Sequence, residues 1–108
     1  MLRYQETPVQ EVTDAKIIAA GVRLFIKRED LNHPLVSGNK WWKLKYNLEA
    51  AIRSNCQTLL TYGGAYSNHI YATSAASAEL GIGSIGIIRG EAPAQLNSTL
   101  LFAKKQGM

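Results

Sequence analysis

The stretch Thr58-Leu59-Leu60-Thr61-Tyr62-Gly63-Gly64-Ala65-Tyr66-Ser67-Asn68-His69 decides the fold of this chain. Thr58 to Tyr62 is β-prone, Gly63-Gly64 closes the run, and an Ala- and Ser-rich helical stretch follows from about Ser67 to Leu80. The order is strand, turn, helix. Downstream, Ser84 to Ile88 supplies another apolar strand, and Leu96, Leu100 and Ala103 outline a last helix that Gly107 can stop. Upstream, Val22 to Lys27 reads as a strand ending in the charged Arg28-Glu29-Asp30. The turn formers Asn32, Pro34, Ser37, Gly38 and Asn39 then lead into a helix that begins near Asn39 or Lys40 and runs to Arg53. The opening residues to Ala20, interrupted by Pro8, show no sustained period and read as extended or irregular.

Alternating strands and helices predict the α/β class, a parallel sheet covered by helices. A doubly wound sheet has about four or more strands. Two clear parallel candidates plus the Val22 strand therefore read as a truncated sheet, or one that needs a partner. The expected organisation is one unit: about 1–36 as an extended N-terminal segment with the first strand, and about 37–108 as the α/β unit.

A chain of 108 residues with 46% hydrophobic content can bury one core. No apolar run reaches the ~18 residues of a membrane span, and the start lacks the apolar stretch of a secretory signal. A cytoplasmic, non-membrane protein is expected. Cys56 has no internal disulfide partner and reads as a buried spectator. Asn97-Ser98-Thr99 matches a glycosylation sequon with no sign of secretion beside it, and no metal site is expected. The net charge of +4 includes Lys40, Lys43 and Lys45 interleaved with Trp41, Trp42 and Tyr46. Basic residues with stacking aromatics serve single-stranded nucleic acid. Most such mixtures are amphipathic helices with a solvated basic side, so only weak, non-specific nucleic-acid affinity is predicted.

Within the Lys40 to Arg53 helix, Trp41, Leu44, Leu48 and Ile52 recur at helical spacing and mark the core face. Lys40, Lys43 and Asn47 share a neighbouring strip, while Trp42, Tyr46 and Arg53 point the other way. Lys40 follows a Ser-Gly-Asn turn at a helix start beside the core face. That setting favours partial desolvation, the condition that makes a lysine nucleophilic, although most helical lysines are merely solvated. Gly81-Ile82-Gly83-Ser84-Ile85-Gly86 spells the dinucleotide fingerprint in the wrong context, because it follows a helix and enters a strand. Gly81 is expected to be a helix C-cap. Gly63 to His69 has the right context, after a strand and opening a helix. It suits either an anion at the helix N-terminus or an ordinary glycine turn with Ser67 as N-cap.

Three motifs occur together in order and spacing: Lys27-Arg28-Glu29-Asp30-Leu31, Ser37-Gly38-Asn39-Lys40 with Lys43-Leu44, and Gly63-Gly64-Ala65-Tyr66-Ser67-Asn68-His69. Over about residues 20 to 90 the chain resembles the fold-type II pyridoxal-phosphate enzymes, specifically the 1-aminocyclopropane-1-carboxylate deaminase/D-cysteine desulfhydrase group. The resemblance implies an N-terminal piece of a three-layer, tryptophan synthase β-like fold, with pyridoxal 5'-phosphate as cofactor. It implies that Lys40 holds the cofactor covalently, that Lys43 contacts its phosphate and that Asn68 bonds the ring 3-oxygen. It further implies that Ser67, with Asn68 and His69, meets the substrate, and that Lys40 or Ser67 handles protons. The implied reaction turns a small amino acid, 1-aminocyclopropane-1-carboxylate or D-cysteine, into a 2-oxo acid and ammonia. Relatives often carry Gln where this chain has His69, and a small-residue/Arg pair where it has Trp41-Trp42. Missing from these residues are a phosphate loop and a partner for the pyridine nitrogen, so the chain alone is expected to be inactive and the full-length enzyme a homodimer. The alternatives are a basic single-strand nucleic-acid binder and a catalytically silent α/β interaction module.

Overall fold

The computed structural model describes all residues 1–108. In chain order it contains β1 (Val9–Val12), α1 (Ala15–Ala19), β2 (Leu24–Lys27), a 3-10 turn at Glu29–Leu31, α2 (Asn39–Arg53), β3 (Thr58–Gly64), α3 (Asn68–Leu80), β4 (Gly83–Arg89) and α4 (Ser98–Lys105). The α/β class expected from the alternation is what forms. β3 and β4 run parallel, with Leu60 opposite Ile85 and Tyr62 opposite Ile87, and α3 is the crossover between them.

Two expectations are corrected in the N-terminal part. Part of the stretch expected to be extended or irregular is regular: β1 forms there as a paired strand, and α1 is capped by Asp14, whose side chain accepts the Lys16 N–H at 2.8 Å. The strand anticipated from Val22 begins at Leu24 and pairs antiparallel with β1 in a separate two-stranded ribbon, outside the parallel sheet. The pairing arises between distant segments, which no local period announces.

The core lies where α2, α3 and the sheet meet. Trp41, Leu44 and Leu48 of α2 pack on Ala72, Ala75 and Ala76 of α3. The small α3 side chains let the helix axes approach. Leu48 is 1% exposed, so truncation to Ala would cost about 2–5 kcal/mol. Ile52, expected on this face, is 42% exposed, and Ala51 is buried in its place.

Ile70, fully buried, fixes how closely α3 sits on the sheet. A Cβ on Gly63 would stand 2.6 Å from Ile70 Cγ1, and one on Gly86 would stand 2.8 Å from Met108 Sδ and 3.4 Å from Ile70 Cδ1. These two glycines open the seat that Ile70 fills. The opposite face of the sheet, with Leu60, Tyr62, Ile85 and Ile87, is exposed. Helices therefore cover one face only, giving two of the layers of a three-layer arrangement. The molecule is accordingly a slab of 52 × 37 × 18 Å with a radius of gyration of 17.4 Å, against ~13 Å for a compact chain of this size.

Gly81 ends α3 in the left-handed region at φ 69°, as a C-cap should. The fingerprint-like glycines thus do run from a helix end into β4. Cys56 is exposed, not buried, because it lies in the connection between α2 and β3. Asn97 is engaged at both ends of its amide, accepting the Leu100 N–H at 2.9 Å and donating to the Ala65 carbonyl at 2.8 Å. No helix is long and apolar enough to cross a membrane.

Candidate functional site

Three helix N-termini open onto one cleft. Asn39 and Lys40 from the start of α2, Asn68 and Tyr71 from the first turn of α3, and Thr99 from the start of α4 line a hollow of about 390 Å³, closed on the other side by Pro34, Leu35 and Ser37. This size falls in the ordinary range of small-ligand sites, about 300–1,000 Å³. Lys40 and Asn68, far apart in sequence, meet here because β3 delivers the chain from the end of α2 to the start of α3.

Each element places its residue for a local reason. Gly38 precedes α2 with φ 63° and ψ −139°, a conformation essentially reserved for glycine, and supplies no side-chain cap. Lys40 follows in the first turn, half-buried, with its Nζ donating to Asn39 Oδ1 at 3.0 Å. At α3, Ser67 is the N-cap: its Oγ accepts the His69 N–H at 3.1 Å and the Ile70 N–H at 3.4 Å. Asn68, next along, is exposed at the cleft.

The remaining predicted residues sit around this cleft without lining it. Lys43 is exposed one turn beyond Lys40, on the strip shared with Asn47, whose Nδ2 donates to the Lys43 carbonyl at 2.8 Å. His69 lines an adjoining crevice of about 310 Å³ with Asn47, Thr61 and Thr73. Its Nε2 lies 2.9 Å from Thr61 Oγ1. Desolvation first, and then the positive charges of Lys40 and Lys43, push the imidazole below its usual value, so it is mostly neutral at pH 7. The buried Thr73 hydroxyl in this crevice has no partner.

Sequence reading missed a second cluster. Glu29 accepts from Trp42 Nε1 at 2.6 Å, Thr7 Oγ1 at 2.9 Å, Tyr4 OH at 3.1 Å and Asn32 Nδ2 at 3.3 Å, with Lys27 Nζ at 3.4 Å. These donors, Trp42 foremost, outweigh the opposing effect of burial and lower its carboxyl from 4.5 to about 2. Nothing local in Lys27 to Leu31 announces the hub, since its donors come from three separate segments. Tyr71 could have been found as one turn beyond Asn68, whereas Thr99 has no sequence signal.

An amine and an amide at neighbouring helix starts, beyond the carboxyl end of a parallel strand, stand where α/β sheets generally take their ligands. No cluster of three metal-ligating side chains accompanies them. No family model matches the sequence. Individual relatives do: a protein of Pyrococcus abyssi described as a putative 1-aminocyclopropane-1-carboxylate deaminase is 38% identical over 86 residues, 80% of this chain and 26% of the relative. The 1-aminocyclopropane-1-carboxylate deaminase of Bradyrhizobium diazoefficiens is 37% identical over 83 residues, 75% of this chain and 25% of the relative. A crystal structure of an ACC deaminase homologue superposes with a TM-score of 0.83 and 32% identity, covering 100% of this chain and 32% of that one. The chain belongs, over this span, to the 1-aminocyclopropane-1-carboxylate deaminase family. It spans about a quarter to a third of the length of these relatives.

Proposed function

We propose that this chain forms the lysine-bearing wall of a pyridoxal 5'-phosphate site in an enzyme that converts a small amino acid, 1-aminocyclopropane-1-carboxylate or D-cysteine, to a 2-oxo acid and ammonia. The observation that carries the reading is the meeting of Lys40 and Asn68 in one cleft between two helix N-termini. The donor set fits the cofactor: a primary amine for its aldehyde, an amide for a ring oxygen, and helix starts and a nearby ammonium for its negative charge. When bound, pyridoxal phosphate supplies an electron sink for the substrate Cα.

The chain's own groups do the rest. Lys40 Nζ would hold the cofactor and would accept or return a proton at the reacting carbon. Asn68 Nδ2 would donate to the ring oxygen, and Lys43, one turn from Lys40, would neutralise phosphate charge. Ser67 Oγ already accepts two backbone N–H groups, which leaves its own hydrogen to donate to a substrate carboxylate. Neutral His69, held by Thr61, lies beside the strip of Lys40 and Lys43 and meets the substrate from the second crevice. In this reading turnover needs further groups, a phosphate loop and a partner for the pyridine nitrogen, so these residues alone bind without completing the reaction. The setting is cytoplasmic, the assembled enzyme is a homodimer, and neither nucleic acid nor membrane is a partner. The free, exposed Cys56 fits a reducing compartment.

Thermal melting with added pyridoxal phosphate tests the reading. The midpoint rises for the wild-type chain and stays put for Lys40→Ala, because a ligand bound to the folded form alone stabilises it by mass action. An equal rise in Lys40→Ala would remove Lys40 from its assigned role.

A further inference from the structure

Lys40 makes one side-chain hydrogen bond, to its own neighbour Asn39, so where its amine points is set by the backbone at the start of α2. The first turn of α2 is held on both sides of Lys40 by the 3-10 turn and its cap residue, through the Gly38 backbone before it and the Trp42 side chain after it. Two residues before Lys40, the side chain of Asn32, itself 0% exposed, holds both polar groups of Gly38. Its Oδ1 accepts the Gly38 N–H at 3.0 Å and its Nδ2 donates to the Gly38 carbonyl at 3.3 Å. The Glu29 carbonyl also accepts the Gly38 N–H at 3.0 Å. Two residues after Lys40, Trp42 Nε1 donates to Glu29 Oε2 at 2.6 Å, and the same oxygen accepts from Asn32 Nδ2 at 3.3 Å.

We propose that Asn32 and Glu29 are positioning residues for the Lys40 amine, an inference that rests on the reading of Lys40 as the cofactor-bearing lysine. Gly38 carries the strained conformation and no side-chain cap, so the helix start has no local device of its own. Asn32 supplies that device from outside the helix. Its amide pairs with the Gly38 peptide while its second N–H engages Glu29, so the two grips form one connected unit. A displacement of either grip rotates the first turn of α2 and moves the amine relative to Asn68 across the cleft.

The test reads the share of label on Lys40 within the intact chain. Limiting pyridoxal phosphate followed by borohydride reduction is applied to wild type, Asn32→Ala and Trp42→Phe, and pyridoxyl on Lys40 is compared with that on the exposed Lys104 of the same molecule. The wild type should favour Lys40. Asn32→Ala removes three side-chain hydrogen bonds and should lower the Lys40-to-Lys104 ratio by about five-fold or more, since the net loss of a single hydrogen bond is already worth about that factor. Trp42→Phe keeps an aromatic side chain and deletes the Nε1 donor, and should lower the ratio by about two-fold. Both variants are melted in parallel. A lowered melting midpoint for a folded Asn32→Ala with an unchanged ratio in both variants would show a brace for the fold alone and overturn the proposal. If Asn32→Ala fails to fold, Trp42→Phe decides alone: a lowered ratio supports the proposal and an unchanged one overturns it. Wild-type label off Lys40 would instead withdraw the cofactor reading, and this proposal with it.

Discussion

Two of the helices that open onto the cleft, α2 and α3, begin in opposite ways. α3 closes its first turn with its own side chain, Ser67 Oγ satisfying two backbone N–H groups. α2 starts at a glycine without a side chain, in a strained conformation, and is held by residues six and nine positions upstream, Asn32 and Glu29. Capping from within stabilises a helix and says little about function. Strain held from outside, next to an amine lining a cleft, fixes where that amine sits.

The comparison predicts a difference in mutational cost. Gly38→Ala meets no steric obstacle within 4 Å, yet it forces an L-residue into glycine-only backbone and should cost about 1–3 kcal/mol. Ser67→Ala loses an ordinary cap and should cost about 1 kcal/mol. Chemical denaturation of the two variants checks this. Equal or inverted losses would mean that the α2 start relaxes freely and is not held.

Acid should release the two ends differently as well. Glu29 titrates at about 2 in the folded chain, below its ordinary 4.5, because it accepts from Trp42, Thr7, Tyr4 and Asn32. A depressed carboxyl contributes stability that is present in full above about pH 4.5 and is lost as the pH falls toward 2. Tryptophan fluorescence, to which Trp42 beside Glu29 contributes, should therefore change across that window in the wild type and lose this step in Glu29→Gln. The same step in Glu29→Gln would assign it to another carboxylate.

A smaller effect sharpens the electrostatics between the helices. Lys43→Met removes one of the positive charges that hold His69 below its usual value, so an NMR titration should show the His69 midpoint rising. The rise is partial because desolvation, the largest cause, and Lys40 both remain. No rise would place Lys43 out of electrostatic reach of α3 in solution.

What the sequence made legible was local. The bounds of α2, the Ser67 cap, the Gly81 stop and the strand-turn-helix order each follow from signals within a few residues. The β1–β2 ribbon was missed because each strand is defined by a partner more than ten residues away, and its members Leu24, Phe25 and Ile26 are exposed rather than alternating in and out. Cys56 was misplaced because composition says cysteines are buried, while a position in a helix-to-strand connection puts this one outside. The site divides the same way. Lys40 and Asn68 were readable from their turns, but Asn32 and Glu29, which grip the backbone around Lys40, act across distances that only the folded chain reveals.

The most direct measurement is the location of the covalent label after pyridoxal phosphate and borohydride, mapped on peptides from the wild-type chain. Pyridoxyl on Lys40, with Lys43 and Lys45 largely unmodified, is the expected result. Pyridoxyl on Lys43 or Lys45 with Lys40 unmodified would contradict the assignment of the strained start of α2 as the cofactor-bearing end.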